Sequence, residues 1–144
     1  MRDKILTNAY IQKNENSTNI NLNFSSSGKK NLKNYPYLLV IQSIQEDFIR
    51  LTIYPVKINN LIKVSLYGLK ISDEVNMIYL SLAKTLQNFE IIHTSGLLIK
   101  GNKLYFEFYL NLSLSDVKTR VLKAALNKIK NIFKDIRIEE IGLK

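Results

Sequence analysis

The chain carries a single histidine, His93, and no cysteine, so its options for acid–base and nucleophilic chemistry are few. A catalytic histidine needs a nucleophile or an orienting carboxylate beside it. His93 follows Ile91 and Ile92 and precedes Thr94, with Glu90 the only acid close in sequence, so it reads as a structural or surface residue. One histidine with scattered carboxylates does not make a metal site, and the lack of cysteine excludes thiolate catalysis, disulfides and thiolate-bound zinc. The acidic pair Asp73-Glu74 suits the positive end of a helix. In Glu139-Glu140 the neighbours point to opposite faces of a strand and cannot act on one substrate. No nucleophile elbow, His-Glu-x-x-His zinc motif or dinucleotide fingerprint occurs, and Ser25 to Lys30 lacks the glycine spacing of a phosphate loop. No catalytic residue, metal or cofactor is expected, and the reading is a non-enzymatic protein.

Binding chemistry is better represented. The net charge of +9 favours anionic partners, although abundant Lys, Asn and Ile together also fit a base-composition bias. Arg120, Lys123, Asn127, Lys130 and Lys134 recur at helical spacing, as either a solvated face or a phosphate-binding stripe. Tyr67, Tyr105 and Tyr109, with Lys63 and Arg137, fall on one face of predicted strands. Aromatic rings there would stack bases or pack against a protein surface. The glycine-containing motif of RNA-recognition sheets is missing from Lys103 to Tyr109, and Glu107 between the tyrosines opposes a phosphate backbone, so packing is favoured.

The elements that would position these residues follow from hydrophobic period. The 144 residues, 46% hydrophobic, suffice for one cored domain with an added arm. No apolar run spans a bilayer, and the opening Met-Arg-Asp-Lys-Ile-Leu-Thr-Asn lacks the apolar stretch of a signal peptide, so a cytoplasmic protein without membrane contact is expected. Residues 1–60 read as an N-terminal arm with a short strand or frayed helix over 5–11, a short strand over 19–24 and a β-hairpin over 37–54. From Leu61 the period switches repeatedly: strand 62–69, helix 73–89, strand 90–99, strand 103–112, helix 116–133 and strand 136–141. The strand 103–112 alternates most strictly, with Leu104, Phe106, Phe108, Leu110 and Leu112 in one row. The predicted class is α+β, a ferredoxin-like βαββαβ antiparallel sheet over 61–144 with two helices on one face and the other face open. The helix stripes run through Val75, Ile78, Tyr79, Leu82, Leu86 and Phe89, and through Val117, Val121, Leu122, Ala125, Leu126, Ile129, Ile132 and Phe133. Met77 and Leu80 fall outside the first stripe.

The element order and the glycine-bearing turn Tyr67-Gly68-Leu69-Lys70-Ile71-Ser72-Asp73-Glu74 resemble an ACT domain, the small regulatory module of amino-acid metabolic proteins. The Asp-x-Pro-Gly usual at that turn is absent. The resemblance implies an amino acid or similar effector held at a subunit interface by Gly68, Leu69, Lys70 and Ser72. A regulatory or binding module is therefore the first expectation. Nucleic-acid binding through Lys63, Tyr67, Tyr105, Tyr109 and Arg137, or through Arg120, Lys123, Lys130 and Lys134, is the alternative. A homodimer burying the open sheet face is expected, with the N-terminal arm as the rival cover.

Overall fold

A computed structural model describes residues 5–14, 32–69 and 75–144. Its elements are β1 (Asn8–Lys13), β2 (Tyr37–Ile44), β3 (Ile49–Val56), β4 (Leu61–Leu69), α1 (Val75–Leu86), β5 (Ile91–Thr94), β6 (Leu98–Lys100), β7 (Lys103–Leu110), α2 (Lys118–Asn127) and β8 (Asp135–Ile141). They fall into two compact units. One holds the described residues of Thr7–Asn60 together with Ile141–Lys144, and the other holds Leu61–Glu140 with Ile5 and Leu6.

In the first unit β1, β2 and β3 form an antiparallel sheet in that order. Ile11 stands opposite Leu39, and Ile44 opposite Ile49. The hairpin closes where Gln45 N–H donates to the Phe48 carbonyl at 2.8 Å, around Glu46 and Asp47. β2 is the central strand and its run Leu38–Ile41 is buried, as a continuous apolar stretch requires. The outer edge of β1 is occupied by the chain's tail. Ile11 N–H donates to the Gly142 carbonyl at 3.2 Å and Lys144 N–H to the Ile11 carbonyl at 2.8 Å, with the Lys144 ammonium 4.7 Å from the Tyr10 ring centre. Among the described residues no strand pairs with the outer edge of β3.

In the second unit the sheet order is β5-β7-β4-β8, and β6 also pairs β7. β4 and β7 are antiparallel, with Ser65 opposite Glu107 and Tyr67 opposite Tyr105. Ile62, Val64 and Leu66 of β4 and Leu104, Phe106, Phe108 and Leu110 of β7 form one side of the core. Ile78, Leu82 and Leu86 of α1, and Leu122, Leu126, Ile129 and Phe133 from α2 onward, close it from the other side.

The predicted class needs correction. Of the described residues 46% are strand and 19% helix, with eight strands in two antiparallel sheets and two helices, which is not a simple two-helix ferredoxin-like βαββαβ sheet. Three local causes shift the balance. Asn8–Lys13 pairs with the 37–44 strand and turns a hairpin into a sheet. The 90–99 stretch breaks at Gly96, whose φ of +74° suits glycine, so it yields two short strands. Both helices are short, at 12 and 10 residues. Ser113 and Ser115 bond each other, and Asp116 Oδ1 accepts the Lys118 N–H at 2.9 Å, so α2 starts two residues later than the expected 116. Past Asn127 the chain continues as tight turns, with Lys128, Ile129 and Ile132 each donating three residues back. Val117 precedes α2 and is 82% exposed, and Val121 lies on the helix's exposed side, so both leave the expected core stripe, and Tyr79 of α1 is also exposed. The Ser72-Asp73-Glu74 cap and the strand 19–24 lie outside the described residues.

Gly68 sits in β4 opposite Leu104, where the segment after α2 presses on the strand. A Cβ there would lie 2.4 Å from the Ile132 carbonyl oxygen and 3.2 Å from the Phe133 Cα, and both neighbours are backbone. The close approach requires glycine. Gly68→Ala is expected to lower stability by about 1–3 kcal/mol, the range of an overpacked site, read as a lower urea midpoint at unchanged slope. An unchanged midpoint would mean the contact relaxes freely.

Candidate functional site

Strand alternation sends Lys63, Ser65 and Tyr67 of β4, and Tyr105, Glu107 and Tyr109 of β7, to the sheet face away from the helices. The sequence predicts that face to be open, and here the structure differs. Tyr109 is fully buried, Tyr105 is buried, and the Lys63 and Glu107 side chains are only 5% and 4% exposed. Tyr105 and Tyr109 so enclosed have little surface left to present to a base, while Tyr67 is half-buried.

What the face holds instead is a buried ion pair. Lys63 Nζ lies 3.4 Å from Glu107 Oε1 and 5.9 Å from the Tyr109 ring centre. Glu107 Oε2 accepts the Leu6 N–H at 2.9 Å, so both carboxylate oxygens are engaged. The Glu107 main chain is held as well: its N–H donates to Ser95 Oγ at 2.9 Å, and the Ser95 N–H donates to its carbonyl at 2.8 Å. A buried pair is tolerable when further hydrogen bonds complete it, and this one has them. The residue that argues against phosphate binding in the sequence is thus the counter-charge of Lys63.

Beside this pair lies a small cleft of about 50 Å³, lined by Ile5, Ser65, Tyr67, Asp135, Arg137 and Glu139 among others. The Tyr67 ring leans on Tyr105, with centroids 5.3 Å apart and planes at 53°. Its hydroxyl oxygen is buried and has no hydrogen-bond partner among the described residues. Arg137 pairs with Asp135 at 3.3 Å at the exposed side, with both side chains about half accessible. The cleft is therefore lined by a tyrosine, carboxylate residues and an arginine within one small space. Asp135 and Ile5 are not singled out by the sequence, and Glu139 enters its reading only as half of an acidic pair on a strand. A usable signal for the ion pair is the opposite charge on neighbouring strands, two residues out of direct register.

His93 stands opposite Tyr109, with ring centres 6.0 Å apart, next to an irregularity in β5. Burial lowers its imidazole pKa below the ordinary value near 6.5. Among the described residues no cluster of His, Asp and Glu is arranged to hold a metal ion.

The effector turn is only partly described. Gly68 and Leu69 are strand residues of β4, opposite Leu104 and Lys103, while Lys70 and Ser72 lie outside the described residues. Arg120 and Lys123 are exposed on α2, whereas Lys130 and Lys134 are exposed beyond its end, so the stripe continues through turns rather than along one helix. Met77 and Leu80 are exposed on α1. No helix among the described residues is long and apolar enough to cross a membrane. Compared with known proteins, the chain matches no protein-family model and no curated protein.

The ion pair makes an asymmetric prediction. Lys63→Met alone strands the Glu107 carboxylate and should destabilise by about 3 kcal/mol in urea titration. Lys63→Met combined with Glu107→Leu should recover most of that loss. A single variant as stable as the parent would show that the pair contributes nothing at this position.

Proposed function

We propose that the chain is a non-enzymatic binding module that takes a small polar molecule of the amino-acid class in the cleft beside Tyr67. The observation that carries this reading is the buried, unpartnered hydroxyl of Tyr67, a residue that lines a cleft whose walls bear both signs of charge. An unsatisfied buried hydroxyl costs about 1–3 kcal/mol, and a ligand that hydrogen-bonds it recovers that cost. A guanidinium suits a ligand carboxylate, and Asp135 and Glu139 suit an ammonium, so a zwitterion matches the walls better than an anion. The volume limits the occupant to a head group of a few heavy atoms, with any side chain left outside.

A thermal-shift panel of amino acids and nucleotides at millimolar concentration tests this. At least one amino acid should raise the melting temperature of the parent. Tyr67→Phe should leave the unliganded melting temperature equal or higher and abolish the ligand shift. No shift from any compound rejects the reading, and a shift that survives Tyr67→Phe moves the site elsewhere.

A second reading rests on a separate observation. Lys118, Arg120, Lys123, Lys128, Lys130 and Lys134 are all exposed, and no acid occurs between Val117 and Lys134. A surface of this kind binds polyanions, nucleic acid included. Binding to single-stranded RNA or duplex DNA at low salt should weaken steeply as salt rises, and Lys123→Glu with Lys130→Glu should weaken it across all sequences. Absence of a gel shift at low salt removes this reading.

A further inference from the structure

Among the described residues no strand covers the outer edge of β3, and this edge bears an apolar surface, a combination that soluble proteins ordinarily avoid. The opposite edge of the same sheet is covered, since residues 142–144 bond to β1. At the free edge Ile49 and Leu51 are 65% and 41% exposed. Ile44, paired directly with Ile49, and Phe48 in the turn are exposed beside them. By alternation Ile44, Ile49 and Leu51 share one sheet face, so they form one patch rather than scattered residues.

We propose that this edge is a self-association surface, on which β3 of one copy pairs antiparallel with β3 of a second copy around Leu51. The register follows from the side chains. A two-fold pairing keeps both apolar rows on one face only when it is centred on a residue, not between residues. Centring at Arg50 would set two guanidinium groups directly opposite each other, and like charges there are destabilising. Centring at Thr52 would place Ile49 opposite Pro55, which has no N–H for the ladder. Centring at Leu51 avoids both faults: Ile49 meets Ile53 of the second copy, Arg50 meets Thr52, and Pro55 falls beyond the paired stretch.

Charge supports the same register. Continued outward, it sets the exposed Glu46 and Asp47 of each copy opposite Val56 and Pro55 of the other, with Asp47 diagonal to the exposed Lys57 on the same face. This pairing of opposite charges occurs twice about the axis, as an isologous interface requires. The occupant is thus a second copy of this chain, and the three-stranded sheet becomes six-stranded. The surface belongs to the first unit and the Tyr67 cleft to the second, and the proposal does not depend on what that cleft binds.

Sedimentation equilibrium of the full chain across micromolar concentrations tests the proposal, with circular dichroism to confirm that each variant folds. The parent should be a dimer. Leu51→Lys should weaken the dimer by about a hundredfold, as loss of a central contact does. Glu46→Lys with Asp47→Lys should weaken it, Lys57→Glu should weaken it, and the three substitutions together should restore it. This charge series decides the matter even if Leu51→Lys fails to fold. A parent that is monomeric throughout overturns the proposal, including one that instead floats with anionic phospholipid vesicles. A dimer insensitive to Leu51→Lys, or a charge series without rescue, overturns it equally.

Discussion

Lys63 and Glu107 leave water together, and this fixes how β4 and β7 can pair. Each charge alone would cost several kcal/mol to bury, so the ammonium and the carboxylate must meet with further partners in place. They meet at 3.4 Å, and Leu6 supplies the second partner of the carboxylate. A slip of one residue would carry Lys63 to the face that Ile62, Val64 and Leu66 now occupy, among the apolar residues beneath the helices. The apolar row favours one register by burial, and the ion pair penalises the next one. The register that results sets Tyr67 against Tyr105 and places Tyr67 in the lining of the cleft.

Much of the second unit is legible from period alone, because β4 and β7 each bury one apolar row and alternate strictly. The helices are legible in place but not in extent. Ile78, Leu82 and Leu86 sit at helical spacing and are buried, while Val117 and Val121 fit the next stripe equally well and are exposed. Spacing cannot say that α2 begins at Lys118, since the turn at Asp116 is set by Thr119, whose hydroxyl bonds the Ser113 carbonyl at 2.9 Å. The fold class is hidden from local pattern for a related reason. The pairing of β1 with β2, and of the 142–144 tail with β1, joins residues far apart in sequence, and local pattern carries no information on such contacts.

The candidate site is less legible than the fold. Alternation separates a polar face from an apolar one, but it does not tell a polar face that is solvated from one that is buried and internally paired. Tyr105 and Tyr109 illustrate the ambiguity, since tyrosine suits a wet aromatic platform and a buried interface equally. Glu107 carries the decisive information. A carboxylate between two tyrosines, diagonal to a lysine on the next strand, is a poor phosphate platform and a good buried pair. Gly68 is ambiguous in the same way: a glycine before a helix suggests a ligand loop, whereas here it makes room for the Ile132 carbonyl.

The distribution of charge in the second unit separates the chemistries open to its two faces. On the helical side the cations from Lys118 to Lys134 stand in water with no acid among them. Exposed charges of one sign add at long range and are screened by salt, so this side selects for charge density rather than shape. On the other side Lys63 is matched by Glu107, and Arg137 is held beside Asp135, with Glu139 in the same cleft. Matched charges cancel at a distance and act only at contact, where the geometry of donors and acceptors decides. The net charge of +9 is therefore a property of the helical surface more than of the cleft. A polyanion attracted to that surface gains nothing from the cleft, and a zwitterion seated in the cleft is indifferent to salt that would release the polyanion.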